Sequence, residues 1–342
     1  MDIIHLLENG GKKMKIPISL MIDDPAPILS VYYSHHKTGF TDDGREVIRN
    51  FPNSFLFEFC DIVEKYGIKG KFSVVPMPGN SGDIINGIDG VDFDEMKLWL
   101  DTVKKRIAPN FSICPEMLTH NEAIDLKTGK STGIREYDWS NMQDSTTLTP
   151  YIEKALSILK EAGFDVCGVW SPWFFADKVE SEYVVSISEA IYNVYGKKDA
   201  WYFLHYLPDD KNVKPWIAYE TDGRRLVSIP ITIIDLLWET IHTIKNDEDY
   251  INSVADLYIT EDVKQGRIIE VLNNGSMPII LTHWQSLASN GLYTGLKVLD
   301  KVAQRVNEYL SDKVEWTKTE NLMNYVLNNR DEFGKEKYQV CF

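Results

Sequence analysis

Three short segments carry the residue types that metal-assisted hydrolysis uses. Asp23 and Asp24 stand side by side after the apolar run at residues 16–22. Two adjacent acids beside a buried run are costly to desolvate unless a cation or hydrogen-bond donors face them. On an extended backbone their side chains point to opposite sides, so one can ligate an ion while the other faces a water or substrate. Glu116 and His120 follow the run at 111–114 with a spacing of four. On a helix that spacing puts both on one face, within reach of one ion. His283 follows the apolar run 278–281 and stands beside Trp284, where an imidazole can give or take a proton. Each segment also has a plainer reading: an acidic turn, a solvated Glu–His pair, a histidine bonded to a backbone carbonyl.

The elements that must position these residues alternate. Apolar runs predict strands at 16–22, 71–75, 111–114, 166–170, 201–205, 216–219, 226–234, 277–281 and 314–316. Amphipathic spacing predicts helices at 54–66, 92–106, 147–162, 180–195, 251–273 with a break near Thr260, 295–310 and 320–327. Gly67 and Gly163 read as helix stops, Thr149 as an N-cap with Pro150 at the first helical position. Asp222-Gly223 reads as a hairpin turn. These nine runs with helices between them, near the seven or eight strands a β/α barrel needs, predict an α/β fold, a distorted (β/α)7-8 barrel forming a single domain over 14–342, after an N-terminal extension at 1–13. In such barrels chemistry gathers at the C-terminal strand ends, where all three segments lie.

Composition narrows the partners. Asp+Glu outnumber Lys+Arg 51 to 36, a net charge of −15 that repels nucleic acid. No apolar run is long enough to span a membrane, and the N-terminus lacks a signal-peptide layout, so the expected location is cytoplasmic. Cys60, Cys114, Cys167 and Cys341 show no CxxC spacing. The first three read as core residues and Cys341 as a loose thiol, which excludes a disulfide framework. Nine Trp and 17 Tyr could provide flat faces for sugar rings. His35-His36, in the loop after the first strand, is a weak further candidate near the site and reads more plainly as an exposed loop pair; His205 reads as a structural hydrogen-bonding residue. No oligomeric state follows from the sequence.

The three segments together resemble the NodB-like polysaccharide deacetylase superfamily, over most of residues 16–330. Asp23-Asp24 resembles the family's Asp-Asp motif, which implies Asp23 as general base and Asp24 as metal ligand. The second of the family's two metal-binding histidines falls on His120; the first falls on Glu116, a departure. His283 matches the late histidine that acts as general acid, and Asp235 and Trp238 fall where an Asp–Trp motif tunes it. Residues 72–76 look like the family's second strand and residues 314–323 like its last strand and helix. Pro172 matches the family's Arg-Pro motif, whose arginine orients the base, but no arginine precedes it here. The resemblance implies a divalent metal, zinc first, with cobalt, nickel or manganese as alternatives. It also implies removal of acetyl groups from a carbohydrate or an acylated small molecule, with Trp170, Trp173 and Trp284 as a floor for the sugar. Two other functions stay open. One is a glycoside hydrolase using Asp23 with Glu116, Asp235 or Glu239. The other is a non-catalytic glycan- or metal-binding protein.

Overall fold

A computed structural model describes residues 15–35 and 39–330, with the two short strands at 8–9 and 12–13. The rest of the expected extension, with His5, His36 and Cys341, lies outside the described residues.

The strand β1, Ile16–Asp23, is buried along nearly its whole length. A strand covered on both faces needs a continuous apolar run rather than an alternating one, and IPISLMI is such a run. Helix α1, Asn53–Tyr66, follows and stops at Gly67, whose left-handed φ of 65° suits glycine. Strand β2, Gly70–Val74, packs so close to β1 that a Cβ at Gly70 would lie 1.8 Å from the Leu20 carbonyl oxygen. Helix α2, Phe93–Thr102, and strand β3, Phe111–Pro115, complete the second repeat. Helix α3 spans Ser145–Glu161. It begins earlier than Thr149-Pro150 predicts, because the Asp144 side chain accepts the Thr147 N–H and caps the turn. Residues 119–144 form a hairpin, Glu122–Asp125 with Lys130–Arg135, then a short helix, Glu136–Ser140.

The second half continues with β4 (Gly168–Trp170), α4 (Glu180–Tyr195) and β5 (Asp199–Phe203). The expected hairpin follows, β6 (Trp216–Thr221) and β7 (Arg224–Ser228), with positive φ at Asp222 and Gly223. Helix α5, Glu248–Tyr258, and a separate helix, Arg267–Asn273, confirm the break near Thr260. Strand β8 (Ile279–His283), helix α6 (Thr294–Tyr309), strand β9 (Val314–Trp316) and helix α7 (Thr319–Asn328) end the described chain.

The strands form two main sheets rather than one closed barrel. The first is all parallel, in the order β8-β1-β2-β3, with β9 also paired to β1. The second runs β4-β5-β7-β6 and is parallel except for the hairpin. Single parallel bridges, Glu116 with Trp170 and Ile233 with Ile280, link the two sheets. Local chemistry keeps these links short. Met117, with φ 42°, turns the chain just past β3, and Pro230 offers no N–H for a ladder beyond β7. Cys60, Cys114 and Cys167 are buried free thiols, as expected of core residues. Among the described residues no helix is long and apolar enough to cross a membrane.

Candidate active site

Strand register brings the sequence candidates together. Asp23 and His283 are direct partners across the β1–β8 pair, so both emerge at the same C-terminal sheet edge. Asp24 leaves the strand with a left-handed φ of 67°. That turn, rather than alternation along an extended strand, sends its carboxylate away from that of Asp23. Non-glycine residues are strained in this region, and three more of them, Met117, His120 and Trp173, lie close by in the fold.

Asp24, Glu116 and His120 form one buried cluster whose ligand atoms all lie within 4.8 Å of one another. His120 Nε2 is 2.8 Å from Asp24 Oδ1 and 3.5 Å from Glu116 Oε1. Glu116 and His120 do not share a helix face as their spacing suggested. Glu116 sits at the bridge after β3 and His120 on a turn. The turn is shaped by Glu136, a fully buried carboxylate that accepts the backbone N–H groups of Leu118, Thr119 and His120 at 3.1, 2.9 and 2.9 Å, and the Tyr151 hydroxyl at 2.6 Å. Glu116 is held in turn: its Oε2 accepts the Asp24 N–H at 2.6 Å and the Ser73 hydroxyl at 2.5 Å. Gln285 donates to Asp24 Oδ2. Burial would raise the Asp24 pKa, but the charge of His120 and the Gln285 hydrogen bond outweigh it and hold the carboxyl well below its usual range. Burial would lower His120; the Asp24 and Glu116 carboxylates raise it well above the ordinary imidazole value.

Asp23 meets a different environment. Lys71, with no exposed surface, donates to Asp23 Oδ1 at 2.5 Å and to the Ile22 carbonyl at 2.8 Å. Trp170 Nε1 donates to Asp23 Oδ2 at 2.7 Å, and the Lys71 ammonium lies 3.5 Å from the Trp170 ring centroid. Burial pushes Asp23 up to about 7 despite Lys71. His283 Nδ1 lies 2.7 Å from Asp235 Oδ2, and Asp235 also accepts from the His283 N–H, Leu237 N–H and Ser286 hydroxyl. Burial would lower His283, but Asp235, Asp24 and Asp23 lift it to about 9. Trp238 meets the His283 ring edge-on at 5.0 Å.

These groups face one cavity of ≈ 140 Å³ that Asp23, Asp24, Glu116, His120, His283 and Gln285 line, with Trp173 and Trp238 on its wall. The other two expected sugar-facing tryptophans do not line it. Trp170 is fully buried, stacked 3.9 Å from Phe203 and turned to Asp23. Trp284 is 1% exposed and packs on Phe55, Phe59 and Phe72, as core. His35, a weak candidate by sequence, also lines the cavity. It is no exposed loop residue: its Nε2 lies 2.5 Å from the His120 carbonyl and its ring 4.5 Å from Trp173. Burial and the nearby His120 charge push its pKa down to about 3. Lys71, Ser73, Glu136 and Gln285 were missed by sequence reasoning. A lysine within an apolar run, KFSVV, was the one available signal for the first.

No family model matches the chain, and no curated relative matches it. Solved structures do. A candidate polysaccharide deacetylase from Mycobacterium smegmatis superposes with a TM-score of 0.50 at 12% identity, over 84% of this chain and 81% of that one. A candidate glycoside hydrolase/deacetylase from Parabacteroides distasonis gives 0.45 at 8% identity, over 96% and 74%. A CE4 family pseudoenzyme from Bacillus anthracis gives 0.42 at 12% identity, over 90% and 66%. The chain shares its fold with the Mycobacterium smegmatis protein. At this identity the likeness concerns the fold and not the chemistry.

Proposed function

We propose that this protein is a metal-dependent hydrolase that removes an acyl group, acetyl first, from a carbohydrate. The observation that carries the reading is one cavity with a buried three-donor cluster on one side and two proton carriers, Asp23 and His283, beside it. The cluster fits a divalent cation. Two carboxylates and one imidazole converge, and Asp24 Oδ1 is buried with no aligned hydrogen-bond donor. Asp24, Glu116 and His120 would hold the ion. When bound it would polarise the acyl carbonyl and make a water more acidic. Zinc is the first choice, and the second carboxylate in place of a histidine leaves room for cobalt, nickel or manganese.

The chain's own groups then divide the proton work. Asp23, titrating near 7, takes a proton from the attacking water as its oxygen bonds to the acyl carbon. His283, protonated below about 9, gives its proton to the leaving nitrogen or oxygen as the acyl bond breaks. Carboxylate and deacylated sugar are the products. Lys71 and Trp170 orient Asp23, the task the resemblance gives to an arginine that is absent here. Asp235 orients His283. Trp173 forms the sugar-facing wall. The two bridges between the sheets support reading the architecture as a distorted barrel with this cavity at one mouth. Asp235 and Glu239 do not line the cavity and Glu116 belongs to the three-donor cluster, which favours deacylation over a paired-carboxylate glycosidase.

The test is metal analysis of the purified protein, followed by acetate release from N- and O-acetylated glycans with zinc, cobalt or nickel added. Stoichiometric metal and acetate release that a chelator stops are expected. A metal-loaded protein that releases no acetate from a broad panel overturns the reading.

A further inference from the structure

A second, larger hollow adjoins the cavity. His35 and Trp173 line both, so the two share a wall. The outer hollow is open, ≈ 310 Å³ in volume, and is completed by Arg135, Tyr137 and Phe174. Tyr137 meets Trp173 edge to face at 5.3 Å, and Phe174 is 63% exposed. Adjacent aromatic side chains beside a reacting cavity form a surface on which a pyranose ring can stack.

Arg135 adds a positive charge to the wall of this hollow. It stands at the end of the hairpin strand Lys130–Arg135 and donates to the Asn121 side-chain oxygen. Among the described residues no carboxylate lies within 4.0 Å of it. Arg45, Arg106, Arg225, Arg267, Arg305 and Arg330 each pair with a carboxylate; Arg49, on the Asp89 carbonyl, and Arg224, over the Tyr192 ring, do not, but neither lines the hollow. A guanidinium whose protein contact is a neutral amide, on a chain of net charge −15, keeps N–H groups for an anionic partner.

We propose that the outer hollow seats the sugar next to the acylated one, and that this neighbouring sugar carries a carboxylate paired with Arg135. The inference rests on the deacylation reading for the identity of the inner group, and names the substrate class as an acidic oligosaccharide. Its ring stacks on Trp173 and Phe174, and its carboxylate accepts two guanidinium N–H groups. The carboxylate could belong to a uronic acid or to a lactyl ether on an amino sugar; Arg135 meets the same chemistry in both.

Calorimetric binding to the full chain tests this. The probes are a neutral tetramer of N-acetylglucosamine, a tetrasaccharide alternating N-acetylglucosamine with glucuronate, and one alternating N-acetylglucosamine with N-acetylmuramate. At least one acidic probe is expected to bind about 10-fold more tightly than the neutral one at low salt, and which one does so identifies the source of the carboxylate. Arg135→Gln should erase that preference while leaving neutral binding unchanged, and Arg135→Lys should keep part of it. Phe174→Ala should weaken all probes several-fold. Equal binding of all three probes, or a preference that survives Arg135→Gln, overturns the proposal. Acetate release measured alongside separates the two claims. Release without acidic preference sinks this subsite alone; acidic preference lost in Arg135→Gln without any release sinks the deacylation reading alone.

Discussion

His283 and His205 make a natural pair for comparison, one from each sheet. Both stand at or just beyond the end of a strand, both face a carboxylate, and both lie with their ring centroids 5.0 Å from a tryptophan, Trp238 and Trp216. His283 Nδ1 is 2.7 Å from Asp235, and His205 Nε2 is 3.4 Å from Glu180. The difference lies in the rest of each ring. His205 gives its other nitrogen to Ser228 at 3.2 Å, so both ring nitrogens face protein groups. His283 uses Nδ1 on Asp235 and opens onto the cavity that Asp23 and Asp24 line. A histidine–acid pair at a strand end is therefore not enough to mark a site. One ring nitrogen must also remain for something the protein does not contain.

The largest effect should separate the acids of these two regions. Asp23→Asn is expected to lower deacylation about 10²–10⁴-fold, the usual range for a lost general base, with bound metal retained. Glu180→Gln should leave turnover within about twofold, since it touches only the structural pair. Steady-state rates alongside metal analysis check this, and equal losses would dissolve the contrast between the sheets.

A smaller but clear effect is expected on stability. Lys71→Met leaves Asp23 buried without its cation and should destabilise the fold by about 3–5 kcal/mol in denaturant unfolding. Arg106→Met breaks the solvent-facing pairs with Asp61 and Glu64 and should cost under about 1 kcal/mol. Comparable losses in the two variants would mean that burial of the Asp23 pair carries no special weight.

The subtlest contrast is in pH. Turnover should rise as Asp23 loses its proton near 7 and fall as His283 loses its own near 9. The stability sign follows from the same group. His283 is raised from 6.5 to about 9 in the folded protein, so its contribution is complete below 6.5 and disappears as pH climbs through 9. The melting temperature gap between the wild type and His283→Gln should shrink across that window. A gap that widens instead would reverse the assignment.

Several of these residues were legible before any coordinates. Asp23, Asp24, Glu116 and His283 follow apolar runs, and the runs became strands, so their place at strand ends was readable. His120 was found with the wrong local structure, because a spacing of four fits a turn held by Glu136 as well as a helix. Trp170 and Trp284 were assigned to the cavity on residue type alone. Their neighbours, Phe203 for one and Phe55, Phe59 and Phe72 for the other, come from elements far along the chain. His35 looked like a loop residue until the turn after β1 laid it against His120 and Trp173.

The amino-acid order alone settled most of the main strands and helices, though not the hairpin and short helix between Glu122 and Ser140, and hence which polar groups sit at strand ends. Apolar periodicity, glycine stops and the Asp-Gly turn act over a few residues and need no distant partner. Strand register and packing decided the rest: His283 beside Asp23, Lys71 beneath it, Glu136 behind His120, and two sheets meeting at single bridges. Those pairings join groups dozens to hundreds of residues apart. Their energies depend on which surfaces the whole chain removes from water, a property that no local window contains.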